Sequence, residues 1–184
     1  MLKVGIIVGS TRPNRVGRIV GDWVATVAAG RDDAEFTLVD LLDVDLPLLD
    51  EGMPPLAAQY THQHTKDWAA TVADFDAFLI VSGEYNHSIP AALKNALDFV
   101  YAEWNNKAAG FVTYGADSGI RAVEHLRTVL AELQVATVRE QVALNSYTDF
   151  ENFYEFHPTA RHEAALNRVI DQVLAWGGAL RSLR

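Results

Sequence analysis

Apolar and polar positions divide the chain into two alternating kinds of segment. Near-continuous apolar runs occupy residues 2–8 (LKVGIIV), 77–81 (AFLIV) and 108–114 (AAGFVTY), with further strand-like segments at 35–41 (EFTLVDL) and 136–144. Runs this short and this rich in β-branched residues read as strands covered on both faces. Between them apolar positions recur every three or four residues, the period of one helix face. The stripes are Val16, Ile19, Val20, Trp23, Val24 and Val27; Tyr60, His64, Trp68, Val72 and Phe75; Leu93, Ala96, Leu97, Val100 and Tyr101; Ala122, Leu126, Val129, Leu130 and Leu133; and Ala164, Leu166, Val169, Ile170, Val173 and Leu174.

Punctuation supports this division. Gly30 offers a left-handed helix stop, Pro90 suits the first turn of the helix that follows it, and Ser88 is the expected N-cap. The acidic, proline-containing segment 42–55 and the polar, aromatic segment 145–157 are expected as loops. No repeat or linker interrupts the pattern, so a single domain over residues 1–184 is expected. Five strands alternating with five helices, joined by right-handed crossovers, predict an α/β three-layer sandwich around a five-stranded parallel sheet. The flavodoxin-like order 2-1-3-4-5 is expected because the first, third and fourth strands all end in polar or glycine-rich turns. That order sets the three turns side by side at the carboxyl edge, where such sheets bind ligands.

Composition narrows the chemistry. With 24 acidic against 15 basic side chains the net charge is -9, a field that repels nucleic acid and anionic membranes, so neither is an expected partner. No apolar run approaches the ~20 residues that span a bilayer. The segment MLKVGIIVGS has one lysine and a short apolar stretch with no small-residue cleavage site behind it; it reads as a strand, and cytoplasmic residence is expected. The chain has no cysteine, so disulfides, thiolate metal ligands, iron-sulfur clusters and thiol catalysis are excluded together. Redox chemistry would have to come from a bound cofactor.

Each of the three turns has a chemical and a plain reading. Residues 9–15 (GSTRPNR) join a strand to a helix N-terminus, where free backbone N–H groups, the hydroxyls of Ser10 and Thr11, and Arg12 or Arg15 suit a phosphate. The plain reading is a capped turn with surface arginines. No G-x-x-x-x-G-K-[ST] or G-x-G-x-x-G sequence is present, so nucleoside-triphosphate and Rossmann-type dinucleotide sites lose support. Residues 82–87 (SGEYNH) are either a polar connection or a wall, backbone donors and an amide for a flat heteroaromatic ring. Residues 115–119 (GADSG) are either a tight turn or a place where backbone closely approaches the ring's other edge.

Taken together, GSTRPNRVGRIVGDWV, EYNHSIPAALKNALDFV and TYGADSGIRAVEHLRTVL resemble the NADPH-dependent FMN reductase family of flavodoxin-like proteins, which includes quinone, chromate and azo-dye reductases. The resemblance implies that Ser10 and Arg12, with the backbone of Arg15, Val16 and Gly17, hold an FMN phosphate. It implies that Glu84, Tyr85 and Asn86 line the isoalloxazine, and that Gly115, Ala116, Ser118 and Gly119 close its other edge. It further implies hydride transfer from NADPH or NADH through FMN to a small-molecule electron acceptor, with no acid–base dyad required, in a homodimer or homotetramer. Two positions depart from the family pattern: Arg15 stands where many members have serine, and Gly83 where proline usually precedes E-Y-N. A flavodoxin-like electron carrier without NAD(P)H activity, or a flavin-free binding subunit, are the rival readings.

Other polar groups are read plainly. His62-Gln63-His64 places two histidines on different sides of a helix with no third ligand, so no metal is expected. His87 reads as a surface loop residue near the proposed ring. Ser118 and His125 lack the G-x-S-x-G setting of a hydrolase pair. Phe150, Phe153, Tyr154 and Phe156 are either a lid over a substrate pocket or an aromatic cluster packed on its own chain or a partner.

Overall fold

In the computed structural model, which describes residues 1–184, the first apolar run becomes β1 (Leu2–Val8), with its last five residues buried. The chain continues through α1 (Gly17–Ala28), β2 (Ala34–Asp40), α2 (Leu41–Val44), α3 (Gln63–Ala73), β3 (Ala77–Gly83), α4 (Ala91–Asp98) and β4 (Lys107–Gly115). It ends with α5 (Ile120–Glu132), β5 (Val135–Asn145), the short strands β6 (Phe150–Glu151) and β7 (Glu155–Phe156), and α6 (Ala160–Leu180). Strands β1 to β5 form one parallel sheet in the order β2-β1-β3-β4-β5, the flavodoxin-like arrangement.

Two core layers sandwich the sheet. On one face α1 and α6 bring Val20, Val24, Leu166, Ile170 and Val173 against Val4, Ile6, Leu79, Val81 and Val112. On the other, α3, α4 and α5 bring Trp68, Val72, Leu93, Leu97 and Leu126 against Ile7, Phe78, Ile80 and Phe111. Successive residues of β3 therefore enter opposite layers, and all seven are buried, which is why this run is apolar at consecutive positions. No helix is long and apolar enough to cross a membrane.

Differences from the sequence expectations fall at element ends. The inner face of α1 runs through Gly17, Val20, Gly21, Val24 and Ala28; Ile19, one position from Val20 and so turned roughly 100° away, is 46% exposed. Ala164 is exposed on α6 for the same reason, and His162 and Gly177 share the buried face instead. Ser88 does not cap α4. Pro90 occupies that position, while Ser88 is held in the preceding turn and its Oγ lies 2.8 Å from His125 Nδ1. Because α4 stops at Asp98, buried Val100 extends its apolar face beyond the helix.

The two histidines at the start of α3 share a side. His62 is the extended N-cap residue and not a helical one, so its ring stacks on that of His64 at 5.2 Å, and His64 Nε2 meets Asp50 at 2.9 Å. Within segment 42–55 the chain completes α2, whose first turn is capped by Asp40: its carboxylate accepts from the Leu42 N–H at 3.0 Å. Segment 145–157 is likewise more than a loop, since β6 and β7 pair as an antiparallel hairpin.

Candidate functional site

The carboxyl ends of β1, β3, β4 and β5 are neighbours, and the loops leaving them surround a cleft of about 250 Å³. Arg12 and Val16 line it from the first loop, Gly83, Glu84 and Tyr85 from the second, and Tyr114, Gly115 and Ala116 from the third. Ser146, Phe153 and Tyr154 contribute a fourth wall from the β5–α6 segment.

At one end of the cleft lies the start of α1. Val16 is its N-cap and offers no side-chain acceptor, the first turn holds no acidic residue, and the first helical bond runs from the Val20 N–H to the Val16 carbonyl at 3.1 Å. The N–H groups of Gly17, Arg18 and Ile19 consequently have no acceptor within the chain. Uncapped N–H groups at the positive end of a helix favour an anion. Three arginines stand near. Arg15 is paired with the buried carboxylate of Asp40, and Arg18 lies 3.6 Å from the same group. Arg12 is exposed at the rim and is the guanidinium left for a ligand.

Beneath this loop the packing is tight. Ser10 is wholly buried, with its Oγ 3.0 Å from the Tyr114 hydroxyl. A Cβ on Gly17 would collide with Ser10 Oγ and lie 2.6 Å from the Tyr114 hydroxyl, so only glycine allows α1 to start this close to β4. The Tyr114 ring also covers Gly83, where a Cβ would sit 2.9 Å from a ring carbon. Burial pushes the Tyr114 phenol up to about 12, keeping it protonated. Both departures from the family pattern thus have local partners: Arg15 has Asp40, and Gly83 has the Tyr114 ring.

The second loop is a tight turn. Tyr85 and Ser88 exchange backbone hydrogen bonds of 2.9 and 3.0 Å, and Asn86 and His87 between them have φ of 49° and 71°. Positive φ at both central positions is the type I′ pattern, which Asn and His tolerate better than most residues. The turn holds the Tyr85 side chain at the cleft and leaves Asn86 and His87 exposed beyond it. Glu84 is oriented differently from its neighbours: its side chain is only 5% exposed and turns beneath the third loop. There it pairs with the Arg121 guanidinium, which donates from Nε at 2.6 Å, and accepts from the backbone N–H of Arg121 at 3.1 Å and of Ala122 at 3.4 Å. Burial alone would raise its pKa, but these donors hold the Glu84 carboxyl below its ordinary value. The carboxylate thereby caps α5 and fastens the second loop to the third.

In the third loop Gly115 and Ala116 face the cleft, while Ser118 and Gly119 turn away. Thr113 donates to the Ser118 carbonyl at 3.0 Å, and Gly119 adopts φ 71° with no room for a Cβ above Thr113. Of the residues expected at the site, Arg12, Val16, Glu84, Tyr85, Gly115 and Ala116 line one cleft. Ser10 and Gly17 lie beneath it, the Arg15 side chain faces Asp40, and Asn86 stands outside its rim. Sequence reasoning missed Tyr114 and Ser146 as cleft residues, and of the aromatic group left open between lid and packing cluster, Phe153 and Tyr154 line the cleft. For Tyr114 a signal existed, a strand-end phenol whose hydroxyl needs a partner when buried. Ser146 follows a strand that carries no turn motif of its own.

The sequence matches the family model for NADPH-dependent FMN reductase over residues 2–149. An NAD(P)H-dependent FMN reductase from a Nectria species is 34% identical over 158 residues, covering 81% of this chain and 79% of that protein. A 2-hydroxy-1,4-benzoquinone reductase from a Burkholderia species is 31% identical over 150 residues, 76% of this chain and 75% of that one. Among solved structures, a flavoenzyme NAD(P)H:acceptor oxidoreductase from Paracoccus denitrificans shares the fold with a TM-score of 0.75 at 20% identity, over 97% of this chain and 98% of that chain.

Proposed function

The chain belongs to the NADPH-dependent FMN reductase family and is an FMN-dependent NAD(P)H oxidoreductase; on that footing we propose that the four-loop cleft is where it holds FMN. The observation that carries this reading is the convergence of a free helix N-terminus, an uncommitted arginine and an aromatic wall on one cleft. The donor set fits the cofactor. The unbonded N–H groups of Gly17, Arg18 and Ile19, with Arg12, suit a phosphate, and a cleft lined by Tyr85 and the glycine-bearing third loop suits a ring.

When bound, FMN supplies hydride acceptance and onward electron transfer, for which this cysteine-free chain has no side chain of its own. The protein's own groups bind and orient. Arg12 and the start of α1 hold the phosphate end; Ser10, buried beneath and hydrogen-bonded to Tyr114, fixes the loop that carries them. Tyr85 borders the ring on the second loop, with Asn86 just outside the rim shaping that turn, while Gly115 and Ala116 allow backbone to approach the other edge. Glu84 acts through Arg121 by holding the second and third loops at a fixed separation. Ser118 and Gly119 shape the third turn from below.

The acceptor in this reading is a quinone, free flavin or a comparable small molecule, supported by the quinone-reductase relative, and either NADPH or NADH serves as donor. The chain acts as one FMN-binding domain over residues 1–184. A homodimer or homotetramer is part of this reading, supported by an apolar surface cleft beside α4 that is lined by Leu49, Pro54, Pro55, the exposed Leu56, Leu97 and Val100. Cytoplasmic residence accords with a fold that draws nothing from an oxidising compartment. An electron carrier without NAD(P)H activity is not favoured by relatives that are themselves NAD(P)H-dependent.

The phosphate assignment is tested with Arg12→Ala. Loss of a charge-assisted bond should weaken FMN binding by about 1.5–3 kcal/mol while leaving riboflavin, which has no phosphate, unaffected. Equal loss for both ligands in a fluorescence titration would place the phosphate elsewhere.

A further inference from the structure

The β6–β7 hairpin is built as if to hold its tip in one place. Its base is anchored by an aromatic series: Phe150 is 6.5 Å from Tyr114 and 5.1 Å from Phe156, and Phe156 makes an edge contact with Trp23 of α1 at 5.2 Å. The Asn145 N–H donates to the Asp149 carboxylate at 2.7 Å, and the His157 N–H donates to the Asp149 carbonyl at 3.0 Å, closing the loop at its root. The tip, by contrast, is open. Phe153 and Tyr154 are 56% and 52% exposed, although both line the cleft, and Tyr147 braces Phe153 edge-on at 5.5 Å.

Asn152 and Phe153, with φ of 49° and 64°, are the central residues of the hairpin's turn, closed by the Tyr154 N–H donating to the Glu151 carbonyl at 3.0 Å. The turn accounts for the backbone of Phe153 but leaves both rings outside the core. They line the same cleft as Arg12, Val16 and Tyr85.

We propose that Phe153 and Tyr154 form a wall against bound flavin, stacking on it from the same subunit and slowing its release. The inference rests on the placement of FMN proposed above and adds to it a segment that lies beyond the three strand-end turns. Aromatic faces are sequence-tolerant platforms for flat heterocycles, and a rigid, pre-positioned ring loses little entropy when a ligand meets it. The hairpin supplies that rigidity from its base.

The test uses Phe153→Asn, which keeps a residue that tolerates left-handed φ, together with Tyr154→Ala and the conservative Tyr154→Phe. Full-length variants are stripped of flavin and titrated with FMN, and flavin fluorescence and dissociation rate are followed. The first two variants should raise the dissociation constant roughly tenfold, the order expected for one lost stacking ring, with faster release and weaker quenching of flavin fluorescence. Tyr154→Phe should retain wild-type values. Wild-type binding with unchanged affinity and quenching in Phe153→Asn and Tyr154→Ala overturns this inference alone. Unchanged flavin binding with an altered oligomeric state, or with only a raised KM for a quinone, also overturns it by assigning the tip to a subunit contact or to the acceptor. Wild-type protein that takes up no FMN overturns the cleft assignment and this inference with it.

Discussion

Glu84 belongs to the most diagnostic motif in the chain, yet its carboxylate serves the protein's own backbone. Its donors are Arg121 and the first N–H groups of α5, and its side chain is nearly sealed from water while Arg121 remains 40% exposed. Replacing it with Gln keeps an acceptor but removes the charge, and we expect a loss of about 1–3 kcal/mol at neutral pH. The pH dependence has a definite sign. The folded-state pKa is lowered below 4.5, so the contribution is full above that value and is lost as pH falls through the lower, folded value. Urea midpoints of wild type and Glu84→Gln should therefore differ at pH 7 and converge in acid; a constant gap would show that the charge is not what stabilises. The motif announced that Glu84 matters, but its partner was not legible, because Arg121 lies 37 residues away and meets it only when the second and third loops are adjacent. Arg15 was similarly ambiguous: a basic residue in a phosphate-type loop gives no sign that Asp40, at the end of the neighbouring strand, will claim it.

At the scale of elements, the start of α1 is the feature whose chemistry follows most directly from its construction. Its first turn lacks both a cap and an acidic residue, so the chain itself supplies no partner for its N–H groups, which is the ground for proposing it as the phosphate seat. Inorganic phosphate should accordingly compete with FMN for the wild-type protein and leave riboflavin binding unchanged. Competition against both ligands, or neither, in an equilibrium titration would count against α1 as the phosphate seat. The strands were legible because burial on both faces demands consecutive apolar residues, as β3 illustrates from Ala77 to Gly83. The β6–β7 hairpin was not. It has two pairs of residues, Phe150 with Phe156 and Glu151 with Glu155, too few for a recognisable alternation, and it is held by ring contacts that have no period in sequence. The aromatic cluster was visible there, but whether it packed or covered a pocket was decided residue by residue: Phe150 is buried, whereas Phe153 and Tyr154 face the cleft.

For the whole molecule, sheet order determines the site. Placing β1 between β2 and β3, and β4 beside β3, brings together loops that are separated by about seventy and thirty residues in the chain, as the flavodoxin-like arrangement requires. That order was legible from where the polar turns fall. A net charge of -9 opposes an anionic cofactor at long range, so its capture depends on local donors, where screening leaves short contacts effective. The central claim is that this cleft holds FMN and that NAD(P)H reduces it. The direct measurement is a visible-spectrum titration of flavin-free wild-type protein with FMN, followed by anaerobic addition of NADPH and then NADH. The account predicts saturable FMN uptake, bleaching of the bound flavin by at least one of the two nucleotides, and return of colour when a quinone is added. No uptake at saturating FMN, or bound FMN that neither nucleotide reduces, would contradict it.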